Sequence, residues 1–135
     1  MGFRFSKRSV DNMNGVHPDL IRVAYTALRH TKYDFGINES SVRTIEEQRD
    51  LVESGKSKTM NSRHVKGNNA CGLSCAIDFN VYVNGKITWD MKYFRKVMQA
   101  FVTAAIEEGV YIELGGLWEN FIDGPHIELS RKVYA

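Results

Sequence analysis

The chain has 135 residues, of which 43% are hydrophobic and 25% charged, and its formal net charge is +2. This length suits one compact domain over residues 1–135, and the composition excludes a disordered chain. The weak positive charge excludes the strongly basic surface of a nucleic-acid-binding protein, and the longest apolar runs are too short to span a membrane. We therefore expect neither a nucleic-acid nor a membrane partner.

Hydrophobic periodicity predicts three helices. The first covers Pro18–His30, where the proline suits a first helical turn. The second begins after Thr44, because Thr44 and Glu47 have the spacing of a capping box. The third covers residues 90–108 and ends at the following glycine, which suits a helix C-terminus.

Between these helices lie segments rich in β-branched and aromatic residues, which are typical of strands. The predicted strands are residues 33–39, 75–83, 110–114 and His126–Leu129. Asn84-Gly85, directly after the second of them, is a turn signal. Short strands with few βαβ alternations predict an α+β fold, with a small antiparallel sheet flanked by about three helices.

Polar residues in three segments have the chemistry of a metal site. His64 lies in a polar loop, Asp78 in a predicted strand, and His126 at the start of the last strand. A catalytic zinc ion takes three nitrogen or oxygen ligands and leaves a fourth position for water, so two imidazoles and one carboxylate suit it. A carboxylate that accepts the proton of this water is also needed, and Asp123, three positions before His126, is the candidate.

These motifs resemble a known family. Ser-x-His at Ser62, Ala-x-Asp ending at Asp78, and the late Asp-x-x-His-x-Glu-Leu are similar to the signature of D-Ala-D-Ala metallopeptidases and L-alanyl-D-glutamate endopeptidases, within the hedgehog-type zinc peptidases. The resemblance implies that fold, zinc ligands His64, Asp78 and His126, and Asp123 as the general base.

The resemblance extends to the segments before and after the metal motifs. It implies that Arg43, just before Thr44, stabilises the oxyanion formed during peptide hydrolysis, a role that suits a fixed guanidinium. Ser62, Gln48 and Trp118 are the corresponding candidates for substrate binding, and Trp118 is an equally good candidate for core packing.

One segment departs from the family pattern. The family places its aspartate soon after the first histidine, whereas Asp78 lies fourteen positions after His64 because residues 68–75 form an apparent loop insertion. The insertion carries Cys71 and Cys75, the only cysteines of the chain. Either thiolate can serve as a zinc ligand, or the pair can close a disulfide in an oxidising space, but we favour a small buried apolar side chain for Cys75.

The resemblance implies a zinc-dependent phage endolysin that cleaves the L-Ala–D-Glu bond of the peptidoglycan stem peptide. A D-Ala-D-Ala carboxypeptidase or dipeptidase with the same site, or a non-catalytic zinc-containing binding domain, are the alternatives. The iron(II) facial triad is a further chemistry, but it places its carboxylate two residues after the first histidine, where this chain has Lys66. We expect a monomer that stays in the host cytoplasm until a holin releases it to the wall.

Overall fold

The computed structural model describes residues 2–119 and 122–135, so the predicted domain over residues 1–135 includes three residues outside this description. The helices are α1 (Lys7–Asn12), α2 (Pro18–His30), α3 (Ile45–Glu53) and α4 (Met91–Glu108). The strands are β1 (Asp34–Ile37), β2 (Ala76–Val83), β3 (Lys86–Thr88), β4 (Ile112–Leu114) and β5 (His126–Leu129). Among the described residues, no helix has the length and apolar character to cross a membrane.

The strands form one antiparallel sheet in the order β1-β2-β5-β4, and β3 also pairs with β2. The eight-residue strand β2 is central, because its first half pairs with β5 and its second half lies between β1 and β3. Directly opposite each other in the register of β2 and β5 are Asp78 and His126. The sheet therefore brings together two side chains that are far apart in the sequence.

The hydrophobic core fills the space between one face of the sheet and the helices α2 and α4. Alternate residues of β2 point into it, and Ile77, Phe79 and Val81 are completely buried. Phe101 of α4 lies against Phe79, with ring centroids 5.6 Å apart. Because side chains alternate across a strand, the residues between these core positions lie on the opposite face of the sheet. That opposite face carries Asp78.

Local signals in the sequence explain several element ends. The capping box predicted at α3 is present, since the side chains of Thr44 and Glu47 each accept a hydrogen bond from the other residue's backbone N–H. Gly109 ends α4 in the left-handed region, with φ of 69°. Asn84 and Gly85 both have positive φ, 52° and 76°, as a two-residue type I′ hairpin turn requires.

The prediction of an α+β fold with a small antiparallel sheet is confirmed, with two additions. The short helix α1 and the strand β3 were not among the predicted elements, which brings the described helices to four. Helix α1 carries no apolar stripe and depends on contacts with β1, where Ser9 Oγ accepts the N–H of Ile37 and Asn12 Nδ2 donates to the Ile37 carbonyl. Such tertiary contacts leave no periodic signal in six residues.

Candidate metal centre

The side chains of His64, Asp78 and His126 meet in one buried cluster. Their possible ligand atoms all lie within 4.8 Å of one another. His64 Nε2 is 3.1 Å from His126 Nδ1, and Asp78 Oδ1 is 3.3 Å and 3.5 Å from these two nitrogens. The structure thus brings together the three predicted ligands.

Outer hydrogen bonds orient both imidazole rings. His64 Nδ1 lies 3.0 Å from the carbonyl oxygen of Ser41, which only accepts hydrogen bonds, so Nδ1 carries the proton. His126 Nε2 lies 2.8 Å from Glu128 Oε1 and donates to that carboxylate. In the neutral rings, the lone pairs of His64 Nε2 and His126 Nδ1 therefore face the centre of the cluster, as metal ligation requires.

Asp78 offers one oxygen to the protein and the other to the cluster. Oδ2 accepts hydrogen bonds from Ser40 Oγ at 2.7 Å and from Arg43 Nη2 at 3.1 Å. Oδ1 is buried and has no hydrogen-bond donor among the described residues. A buried oxygen without a donor, next to two nitrogen lone pairs, fits a cation bound between them.

Charges within the cluster shift its pKa values. Burial raises the pKa of Asp78, but the neighbouring His64 and His126 outweigh this and hold that pKa well below its usual range. Burial lowers the pKa of His126, but the neighbouring carboxylates of Asp78 and Glu128 outweigh this effect and raise the pKa to about 9. A proton and a metal ion therefore compete for Nδ1 of His126.

The carboxylate of Asp123 lies at the edge of the cluster. Its Oδ2 is 3.9 Å from His126 Nδ1, and about one third of the side chain (34%) is exposed. Burial, and then the charge of Asp78, raise the pKa of Asp123, which suits a group that takes up and returns a proton. Its backbone passes so close to Gly115 that a Cβ there would collide with the Asp123 carbonyl oxygen and come within 2.8 Å of His126 Cβ.

A pocket of about 280 Å³ opens over the cluster. Arg43 and Trp118 line it, and the Trp118 ring lies 5.0 Å from the imidazole of His126. Ser62 also lines it and accepts the backbone N–H of His64, so this serine fixes the loop that carries the first ligand. Of the two interpretations of Trp118, the pocket wall fits its half-buried position.

The predicted substrate contact of Gln48 needs correction, because its side chain is completely buried (0% exposed). Gln48 Oε1 accepts a hydrogen bond from Arg43 Nη1, and Nε2 donates to Ser57 Oγ and to the Thr59 carbonyl. The amide therefore positions Arg43 and one wall of the pocket.

The insertion 68–75 contributes no residue to the cluster of candidate ligands and is anchored at both ends. Its Ser74 Oγ donates at 2.7 Å to the Ser41 carbonyl, which also accepts His64 Nδ1–H. Asn69 Nδ2 donates to the carbonyls of Arg63, Val65 and Leu73, and the N–H of Cys75 donates to the Arg63 carbonyl. Asp78 consequently reaches the cluster despite the longer connection.

Neither cysteine belongs to the cluster of candidate ligands. Cys75 is 1% exposed and packs in the core, which confirms the favoured interpretation, and Cys71 is an exposed free thiol. Burial raises the pKa of Cys75 to about 11, which disfavours the thiolate that a metal ligand needs. The two sulfur atoms are 3.8 Å apart, so the disulfide stays a prediction.

Two supporting residues were missed by the sequence analysis. Glu128 follows His126 by two positions in a strand, so both side chains lie on one face, and this spacing was a usable signal. Ser41 receives His64 Nδ1–H on its carbonyl, and its hydroxyl accepts the N–H of Asp78. No sequence pattern indicates Ser41, because its role depends on the packing of a short 3₁₀ helix, Glu39–Ser41, against β2.

With this geometry established, comparison with known proteins assigns the family. The family model of phage L-alanyl-D-glutamate peptidases matches residues 1–130. The chain belongs to this family. Over an alignment of 138 positions it is 35% identical to the L-alanyl-D-glutamate peptidase of Escherichia phage T5, which covers 99% of this chain and 94% of that protein.

Two further similar proteins support the same family assignment. The L-alanyl-D-glutamate peptidase of Listeria phage A118 is 34% identical over 95 residues, which cover 70% of this chain and 30% of that longer protein. The crystal structure of the Serratia marcescens L-Ala D-Glu endopeptidase ChiX matches with a TM-score of 0.86 and 36% identity, over 98% of this chain and 93% of that one. The predicted family and fold are thereby confirmed.

Proposed function

We propose that the chain is a zinc-dependent endopeptidase that hydrolyses the L-Ala–D-Glu bond of the peptidoglycan stem peptide. The observation that carries the proposal is the cluster of His64, Asp78 and His126, with three inward lone pairs and Asp123 beside them. Membership in the phage L-alanyl-D-glutamate peptidase family supports the choice of bond over the D-Ala-D-Ala alternative.

The donor set favours zinc as the metal. Two imidazole nitrogens and one carboxylate oxygen are the ligands of many catalytic zinc sites, in which a fourth position stays open to the pocket. When bound, zinc supplies a Lewis acid that polarises the scissile carbonyl and lowers the pKa of a water molecule. His64 Nε2, Asp78 Oδ1 and His126 Nδ1 would hold it.

Asp123 handles the proton of the reaction. As water adds to the alanyl carbonyl carbon, one water proton passes to the Asp123 carboxylate, whose raised pKa favours uptake. When the C–N bond breaks, Asp123 returns this proton to the departing nitrogen of D-glutamate. The products are a carboxylate on L-alanine and a free amine on D-glutamate.

Arg43 stabilises the negative charge that develops on the carbonyl oxygen. Its guanidinium is held by three contacts, namely the Ser40 carbonyl, Gln48 Oε1 and Asp78 Oδ2, so its position is fixed before substrate binds. A donor that needs no reorientation during the reaction is most effective. The carboxylates of a stem peptide also suit the pocket, which Lys56 and Arg131 line with positive charge.

The test is digestion of purified peptidoglycan by the zinc-loaded protein, with mass spectrometry of the fragments. Wild type should release stem peptides with a new amino terminus on D-glutamate, and Asp123→Asn should lose turnover while it retains zinc. Asp50→Asn, an exposed carboxylate on α3, is the matched control and should keep full activity.

Each other result contradicts a distinct part of the proposal. Loss of only terminal D-alanine would replace the endopeptidase with a carboxypeptidase. Full activity of Asp123→Asn would exclude Asp123 as the proton acceptor. Retention of iron rather than zinc by the protein, measured by elemental analysis, would overturn the choice of metal. We further propose that the enzyme acts as a monomer on the wall, after release from the host cytoplasm.

A further inference from the structure

A second groove lies on the same face of the sheet as the metal cluster. Asp78, Asn80 and Tyr82 alternate with core residues along β2, so all three side chains point to that face. Alternate residues of a strand are about 6.7 Å apart, which puts Asn80 one such step and Tyr82 two steps from the metal ligand. The N–H of Asn38 in the groove wall donates to the Asp78 carbonyl at 2.8 Å, which joins groove and cluster.

The groove, of about 210 Å³, combines an aromatic surface with uncharged polar groups. Trp89 and Ile87 on one side are 62% and 50% exposed, so they present apolar surface to the solvent. Asn80 Oδ1 accepts a hydrogen bond from Asn38 Nδ2, which leaves the Asn80 amide N–H₂ available. Within the described part of the chain, the hydroxyl of Tyr82 likewise makes no hydrogen bond.

Charge in this groove is nearly balanced. Arg8 and Glu39 at its rim form an exposed pair at 3.9 Å. The pocket over the metal differs, because Lys56 and Arg131 line it. A carboxylate-rich peptide therefore suits the metal pocket, whereas the groove suits a neutral ligand with an apolar face and hydrogen-bonding edges. A pyranose with hydroxyl and acetamido groups has this chemistry: its C–H face packs on an indole ring, and its edges bind amides.

We propose that this groove binds the amino-sugar strand to which the scissile stem peptide is attached. The proposal rests on the proposed function, because that function places the L-alanyl bond at the metal. In the substrate a lactyl group and L-alanine separate the sugar from this bond. Two extended chain units span about 7 Å, which matches the single β2 step from Asp78 to Asn80. The next sugar of the strand then reaches Tyr82 and Trp89.

The test compares two substrates that share the scissile bond, the free tripeptide L-Ala–D-Glu–diaminopimelate and the same tripeptide linked to N-acetylglucosaminyl-N-acetylmuramic acid. Trp89→Ala should raise KM for the sugar-linked substrate about tenfold, the change expected for roughly 55 Å² of lost apolar contact. KM for the free tripeptide should stay within twofold. Tyr111→Ala is the matched control, because Tyr111 is a similarly exposed aromatic residue that lines neither the metal pocket nor the groove.

Trp89 also packs against Phe94, with ring centroids 6.0 Å apart, so Trp89→Ala has a structural risk. Tyr82→Phe removes only the hydroxyl and provides a second variant with the same expected direction. Direct binding is measured by NMR with the peptide-free disaccharide. The indole N–H resonance of Trp89, identified by its disappearance in Trp89→Phe, should shift when the disaccharide is added. This readout does not require turnover.

The outcomes separate the two proposals. A shifted Trp89 resonance without cleavage of either substrate would support the sugar groove and overturn the proposed hydrolysis. The sugar-binding proposal would be overturned if both substrates were cleaved, the variants changed KM equally for the two substrates, and the disaccharide did not shift the Trp89 resonance. An effect of Trp89→Ala with intact cell walls but not with the sugar-linked tripeptide would also overturn it, because the sugar bound would then belong to another strand.

Discussion

Glu128 should control how tightly the metal is held, although it is not a ligand. Its Oε1 lies 2.8 Å from His126 Nε2 and fixes the ring so that Nδ1 faces the cluster. Replacing such an outer partner typically weakens metal binding by about 10- to 100-fold, which equals about 1.4–2.7 kcal/mol. Glu128→Gln keeps an acceptor oxygen but loses the charge, so we expect about tenfold, and Glu128→Ala should approach the upper limit.

The assay is competition with a zinc chelator of known affinity, followed by the zinc content of the protein. Glu113→Gln is the matched control, because Glu113 lies opposite Glu128 in the β4–β5 register and makes no hydrogen bond to His126. Glu128 also lies 3.9 Å from the buried Arg63, so the melting temperature of each variant is measured at saturating zinc. An unchanged zinc dissociation constant in Glu128→Gln, or an equal change in Glu113→Gln, would refute the assignment.

Three further predictions follow from the site and the insertion. The bound metal should stabilise the fold. Removing it with a chelator, from a sample in which the free zinc concentration is one hundred times the dissociation constant, should lower the melting temperature by roughly 8 °C, as measured by calorimetry. Arg43→Lys keeps the charge but loses the fork that contacts Asp78 and Gln48, so kcat should fall by about 10²–10³ with zinc retained; an unchanged kcat would exclude the oxyanion role. At pH 8 an aromatic disulfide reagent should label Cys71 quickly and leave Cys75 unmodified, because Cys75 is buried and has a pKa raised to about 11; labelling of both thiols would contradict this.

The sequence predicted well those features that local chemistry determines. The capping box at Thr44 and the glycine that ends α4 depend on neighbouring residues only, and both are present as expected. Asn84-Gly85 indicated the turn, but β3 after it is only three residues long and was missed, although two positive-φ residues require a hairpin.

Residues that act through tertiary contacts were harder to predict. Gln48 was identified by resemblance, yet the sequence does not reveal that its amide is fully engaged by Arg43 and the Ser57–Thr59 segment. Ser41 supports two of the candidate ligands through backbone and hydroxyl contacts that no motif encodes. The identity of a motif residue is therefore easier to predict than whether its side chain faces the substrate or supports a neighbour.

The position of Asp78 shows why the insertion is compatible with the site. A strand side chain changes face with every residue, so a shift of β2 by one position would move Asp78 into the core and Phe79 onto the site face. The backbone of Cys75 prevents such a shift, because its N–H donates to the Arg63 carbonyl and its carbonyl accepts the N–H of Leu129. The other inserted residues, 68–74, lie before this anchor, so their number can change without altering the register. The same alternation that buries Phe79 thus presents Asp78 to the metal cluster and Asn80 to the adjacent groove.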